Sequence, residues 1–369
     1  MSQRYVIRPT VPEDSQALLD LLSDTPQEGS IQLNFERQPN YFYATCIGTS
    51  DPDLWVMEDT QAKIIVGAFS IGKRNVFING VPRAVRYASD LRIHRSQQGG
   101  RALYRMFKHY KEQTKDEWMQ TVILEENKAS MDTVSSGRTV LPTYYPAGRY
   151  RTNMIDLRRT EKRKIKHYVR RATADDVVIM QAFFDKEARK KQFYPCYDFS
   201  LIGTDNDYYR DIRLSDFFLA FESNGDRQNL IGMTGLWDQK NFKQTRIAGY
   251  ANGMQYIRPF YNLYTKIFGG LSLPPAGALT SYLYLHSTVI ANNEPETFAD
   301  LVAFARRELK NTRYDALVFG FDVNDPLHAV ADKYKKVELF SRHFLTSYGE
   351  DPASELDSDR IMYLETSRL

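Results

Sequence analysis

The sequence predicts an α/β protein built twice on one plan. Length, a repeated order of segments, and strand-like runs interrupted by helix-like ones carry that prediction. The chain has 369 residues, more than one hydrophobic core usually organises, so two domains are expected. "YVIRPTVPEDSQALLDLL" from Tyr5 is matched by "YVRRATADDVVIMQAFF" from Tyr168. Each reads as a short strand, a Thr able to cap a helix, an acidic pair suited to the helix's positive end, and a helical pattern. "LWVMEDTQAKIIVGAFSIG" from Leu54 is then matched by "FFLAFESNGDRQNLIGMTGLW" from Phe217, each two strands whose second reaches a glycine, Gly67 or Gly232. Two matches in the same order give two copies of one fold. The break falls in "LRRTEKRKIKHYVRR", with domains expected at 1–160 and 161–369.

Within the first copy, "RNVFINGVPRAVRYASDLRIH" reads as a hairpin turning at Asn79-Gly80, where both residues tolerate positive φ. A helix, the strand "WMQTVILEEN", a further helix "NKASMDTVSSG" and a last strand "RTNMIDL" follow. Strands interrupted by helices pack as helices on a sheet.

Aromatic residues make up 13% of the chain, which argues for substantial cores and against disorder. The net charge of +3 does not by itself announce a nucleic-acid partner. Cys46 and Cys196 stand far apart and form no metal spacing, which fits reduced thiols. No stretch is long enough to span a membrane and the opening "MSQRYVIRPT" has no apolar signal core. A cytoplasmic protein without a membrane partner is therefore expected. The linker crowds Arg158, Arg159, Lys162, Arg163, Lys164, Lys166, Arg170 and Arg171 together. It reads as a solvated connector or as a phosphate-binding patch, on RNA or on a cofactor.

The most informative stretch is "DLRIHRSQQGGRALYRMFKHY", from Asp90 to Tyr110. A strand enters a helix through a glycine-bearing turn. The helix start offers unpaired N–H groups and partial positive charge, and glycines let a ligand approach the backbone, which together suit a pyrophosphate. The turn has neither GxxxxGK[ST] nor GxGxxG, arguing against an ATP P-loop and a Rossmann site. It fits Gln-x-x-Gly-x-Ala through Gln97, Gly100 and Ala102.

That pattern resembles the [Gln/Arg]-x-x-Gly-x-[Gly/Ala] signature of the GNAT N-acyltransferase superfamily. The preceding Asn-Gly hairpin, the strand "LRIH" and the later strand ending "EEN" strengthen the resemblance. It covers most of 1–157 and extends in degenerate form over 165–369, similar to tandem GNAT proteins. It implies two domains, each a mixed, largely antiparallel twisted sheet flanked by helices, and an acyltransferase moving an acetyl or other acyl group from acyl-CoA to a primary amine. The acceptor is expected to be a small molecule or a peptide. The resemblance further implies that backbone groups of Leu91, Arg92 and Ile93 pair with the pantetheine arm, and that Gln97, Gln98, Gly99, Gly100, Arg101 and Ala102 wrap the pyrophosphate. Arg101 is equally read as a solvated helix residue. Asn127 stands where the family often places a cofactor-contacting Asn. The Tyr that often serves the family as general acid is missing, since Val134 holds the corresponding place. Tyr144 or Tyr145, just beyond, could substitute, and are equally read as core or loop aromatics.

Acyl transfer to an amine needs a base. Asp90, His94, Glu125 and Glu126 are candidates. Period-two alternation puts Asp90, Arg92 and His94 on one strand face. The histidines form no HxH, HExxH or Cys/His cluster, so no metal is expected. No GxSxG elbow or catalytic cysteine signature appears, which favours direct attack in a ternary complex. Two other readings stay open: an aminoacyl-tRNA-dependent transferase of the same architecture, and a non-catalytic protein that kept the CoA-type fold. The second copy replaces the signature with Asn292-Asn293-Glu294-Pro295, removing a donor and adding negative charge where pyrophosphate would lie. It also carries an aromatic insertion, 251–280, whose Tyr256, Tyr261 and Tyr264 are expected either to wall an acceptor cleft or to pack on their own domain.

Overall fold

The computed structural model describes residues 4–27, 29–98, 101–115, 117–222, 229–251 and 253–369. The first half runs β1 (Tyr5–Pro9), α1 (Ser15–Ser23), β2 (Ile31–Glu36), α2 (Tyr41–Gly48), β3 (Leu54–Asp59), β4 (Ile64–Ser70), β5 (Lys73–Ile78), β6 (Val81–Ile93), α3 (Ala102–Thr114), β7 (Met119–Leu124), α4 (Lys128–Ser135) and β8 (Thr143–Asp156). The second runs β9 (Tyr168–Arg171), α5 (Val177–Ala188), β10 (Phe217–Phe221), β11 (Leu230–Trp237), β12 (Gln244–Tyr250), α6 (Met254–Phe268), β13 (Tyr282–Ile290), α7 (Pro295–Glu308), β14 (Ala316–Asp322) and β15 (Lys336–Ser347).

Among the described residues the strands form one thirteen-stranded mixed sheet, flanked by helices, and a two-stranded sheet of β2 with β12. The large sheet is antiparallel except for β6 with β7 and β13 with β14, one parallel pair in each half. The halves repeat each other in detail. Gly67 packs so close under α3 that a Cβ would lie 2.7 Å from Met106 Sδ, and at Gly232 a Cβ would lie 2.8 Å from Thr297 of α7. Each glycine therefore lets a helix sit down on the sheet. At the first turn of each half an arginine forks a carboxylate: Arg8 on Asp14, and Arg170 on Asp176. That carboxylate also accepts from the N-cap backbone, Val11 N at 2.8 Å and Thr173 N at 2.7 Å. The Asp, more than the Thr, thus satisfies the helix start.

The last strands are exchanged. β15 lies between β7 and β8, while β8 pairs on its other side with β14. Each half's parallel pair is therefore extended by the final strand of the other half. Ile47 and Phe77 of the first half join the large core of the second, and Val76, Ile78 and Val85 pack with Phe193 and Leu345. Two features exceed the expectation from sequence. β2 and α2 form between α1 and β3, and the last strand of the first half begins at Thr143, ahead of the "RTNMIDL" run.

Candidate active site

β6 and β7 pair only at Arg86–Met119, Tyr87–Gln120 and Ala88–Thr121. Beyond Ala88 the partner of β6 is β4, across a bulge between Ala68 and Ser70, and the edge toward β7 is left open. The bulge places Asp90 at φ 56°, a left-handed conformation rare for a residue with a side chain. It breaks the period-two alternation expected through Asp90, Arg92 and His94. The Asp90 carboxylate turns to Arg37 Nη2 at 2.7 Å. Arg37 also lies over the Tyr41 ring, 4.6 Å from its centre, and reaches Thr45 Oγ1 at 3.3 Å.

A cleft opens beside this pair. It is lined from the first half by Arg37, Thr45, Ser70, Tyr87, Ser89 and Asp90, and from the second by Lys243, Arg368 and Leu369. Lys243 Nζ donates to the Leu369 main-chain oxygen. Burial pushes Lys243 down to about 7, helped by Arg37 and Arg368 and opposed by Asp90. Arg368 is buried, donating to Tyr197 Oη at 2.8 Å and to the carbonyls of Ile47 and Tyr208. Sequence reasoning missed Arg37 and Lys243. No local pattern marks either, and only the approach of β2 to β12 brings them together.

The other expected site residues spread around the mouth of the splayed strands. Leu91 is exposed, while Arg92 turns inward, donating to the Thr25 carbonyl at 3.3 Å. Arg92 and Ile93 pair with Ala68 and Gly67, and among the described residues no strand pairs with their opposite edge. His94 accepts from Ser96 N and contacts Ser96 Oγ at 2.8 Å. Gln97 stands in a 3-10 turn and Gln98 donates to the Ile93 carbonyl at 3.3 Å. Gly99 and Gly100 lie outside the described residues. Arg101 is exposed at the N-cap of α3 without a side-chain capping bond, and Ala102 is buried as its first residue. Asn127 caps α4, accepting from Ser130 N at 3.1 Å. Glu126 is exposed, and Glu125 is held by Arg149 and Arg342. Tyr145 points its hydroxyl at the Gly349 carbonyl, and Val134 lies on α4. Neither Tyr145 nor Glu126 lines the cleft at Asp90, and neither do Tyr256, Tyr261 and Tyr264.

The second half repeats the geometry with the opening filled. β13 and β14 pair only at 282–284 with 316–318, and Ser287 sits at φ 50°, in the place of Asp90. There the buried Glu365 carboxylate accepts from Ser287 N at 2.8 Å and from Tyr363 Oη at 3.1 Å. α7 starts at Pro295, and its N-cap Glu294 supplies its own carboxylate to Glu296 N at 3.4 Å. Among the described residues no cluster of His, Cys, Asp and Glu could hold a metal ion.

No family model matches the sequence, and no curated protein matches it. Solved structures do match. The chain superposes on two crystal structures of Saccharomyces cerevisiae N-myristoyltransferase with bound myristoyl-CoA, with TM-scores of 0.59 and 0.60 at 9% identity. The matches cover 95% and 98% of this chain and 85% and 84% of the other. A GCN5-related N-acetyltransferase from Anabaena variabilis overlaps with a TM-score of 0.49 at 11% identity, covering 94% of this chain and 73% of the other. The chain thus shares the fold of the N-myristoyltransferase structures, a mixed, mostly antiparallel sheet flanked by helices. Its particular form is similar to that of N-myristoyltransferase, over nearly its whole length.

Proposed function

We propose that the protein is an acyl-CoA-dependent acyltransferase acting on a primary amine, with acyl-CoA bound by the first half alone. The contrast between the two splayed strand pairs carries this reading. In the first half, among the described residues, no strand pairs with β6 beyond Ala88 on the β7 side, and α3 starts without a side-chain cap. In the second, Glu365 occupies the bulge N–H and Glu294 caps the helix. An extended pantetheine arm adds to a free edge as a strand does, and a pyrophosphate suits an uncapped helix start. Leu91, Arg92 and Ile93 would supply the edge, and Gln97 to Ala102 the pyrophosphate turn. Similarity in fold to a structure holding myristoyl-CoA supports an acyl-CoA cosubstrate. An acetyl group and a longer acyl chain are both compatible with it.

The thioester would end beside Asp90. The amine nitrogen attacks its carbonyl carbon, an amide bond forms, the C–S bond breaks, and CoA leaves as the thiolate. Asp90 holds the incoming ammonium, with Arg37 fixing the carboxylate. Lys243, pushed down to about 7, is available in its neutral form to take the first proton and free the amine for attack, and the second passes from the acylated nitrogen to the departing thiolate. His94, Glu126 and Tyr145 are assigned no step, since none lines this cleft.

The basic linker gives the tRNA-dependent alternative little support. Five of its cations are tied to carboxylates: Arg158 to Asp156, Arg163 to Asp300, Lys166 to Glu296, Arg170 to Asp176 and Arg171 to Glu308.

The test measures acetyl-CoA and myristoyl-CoA binding by calorimetry and then follows free thiol with a panel of amines. Asp90→Asn should keep acyl-CoA affinity and lose thiol release. If neither thioester binds, or if Asp90→Asn turns over like the parent, the assignment is wrong.

A further inference from the structure

The helix α6 is turned inside out. At about 100° per residue, Tyr256, Ile257, Phe260, Leu263, Tyr264, Ile267 and Phe268 fall on one face. That face points to solvent, with Tyr256 74% and Phe260 75% exposed. The opposite, polar face holds the helix to the protein. Arg258 and Asn262 donate to the Leu273 carbonyl at 2.9 and 3.0 Å, Asn262 accepts from Leu273 N at 2.8 Å, and Thr265 is buried. An apolar stripe about 20 Å long, left in water on a folded chain, marks a binding surface.

Charge selects the occupant. The segment 251–280 contains no carboxylate, and Lys266 is exposed beside the apolar face, while Arg258 lies on the side that holds the helix to the protein. Arg159, from the basic linker, donates to the Ile267 carbonyl at the helix's C-terminal end. A second copy seated on this face would set like charge against like. An anionic bilayer offers hydrocarbon to the aromatic and aliphatic side chains and negative headgroups to the cations beside them.

We propose that α6 is a membrane-surface anchor, lying in the plane of an anionic lipid interface with Lys266 and Arg159 toward the headgroups. No helix among the described residues is long and apolar enough to cross a membrane, so the contact is peripheral. The inference stands apart from the acyltransfer reading and needs no turnover to test.

The full chain is sedimented with vesicles of phosphatidylcholine alone and of phosphatidylcholine mixed with phosphatidylglycerol. Binding to the mixed vesicles should exceed binding to the neutral ones by about tenfold or more and fall with added salt. Phe260→Asp and Ile267→Asp, both outward-facing and checked by circular dichroism, should abolish it, and Lys266→Glu should weaken it. Absence of vesicle binding by the folded parent overturns the proposal, as does binding that survives Phe260→Asp. A soluble dimer in analytical ultracentrifugation that Phe260→Asp dissociates, without vesicle binding, assigns the face to a second copy instead.

Discussion

Asp176 shows what one charged residue contributes here. Hydrogen bonds from Arg170, with others from Thr173, hold its carboxyl down to about 2, and Asp14 is lowered by Arg8 in the same way. Each carboxylate ties a strand to the start of the next helix, so the pair is positional as well as electrostatic. With the folded value depressed, the stabilisation is full above the ordinary value of 3.8 and disappears as pH falls toward 2. Asp176→Asn is therefore expected to cost about 1–2 kcal/mol at neutral pH and little at pH 2, measured by urea unfolding across that range. Lys243 works in the other direction. Unfolded, it keeps its proton to about 10.5, whereas the folded chain releases it near 7. Between those values the unfolded state binds more protons, so stability rises with pH. Lys243→Met should flatten that rise, by on the order of a few kcal/mol, and should also remove a limb near 7 from the pH–rate profile of amine acylation.

At the scale of elements, the strand-to-helix turn ahead of α3 is the feature that the residue pattern announced. Its Gln97 and Ala102 bracket the passage from β6 to α3, and Arg101 stands at the helix start. Gly100→Glu, which adds bulk and negative charge in that turn, is expected to lower acyl-CoA affinity by at least about a hundredfold. Glu294→Ala, at the matching turn of the second half, should leave affinity within about twofold; a reversed outcome by calorimetry would move the cofactor to the other half. The bulge at Asp90 was not legible in the same way. An alternating strand pattern does not record where one extra residue enters a ladder, and the bulge re-aims Asp90 away from the face that alternation assigns it. The aromatic insertion was legible as a segment but not in its direction. Its tyrosines were expected to face a cleft or their own domain, whereas Tyr256 and Tyr264 face solvent because Asn262 and Thr265 satisfy polar groups inside.

Across the whole molecule, we propose two units, 1–160 and 161–369, that cannot be separated without loss. β15 supplies the antiparallel neighbour of β7, so the first unit alone would expose that edge and lose the packing of Val76 and Ile78 against Leu345. Expressed alone, residues 1–160 should be insoluble or lack a cooperative thermal transition, while the full chain melts cooperatively. Limited proteolysis between Leu157 and Arg171 should leave the two pieces associated on gel filtration, since β8 and β15 remain paired along their length. Release of two stable halves would refute firm docking.

The chain's own pattern of residues determined what is local or periodic: the doubling, the Asn-Gly hairpin, the strand entering a helix at Gln97 to Ala102, and the loss of that turn at Asn292 to Pro295. These depend on neighbours a few positions apart, where spacing and φ preference act directly. The tertiary structure decided what depends on contacts between distant segments: the exchange of β8 and β15, the filling of the second opening by Glu365, and the meeting of Arg37, Asp90 and Lys243 in one cleft. Strand pairing and burial act through space, so the partner of a residue such as Lys243, and the displaced pKa that partner and burial impose, exist only once the two halves are docked.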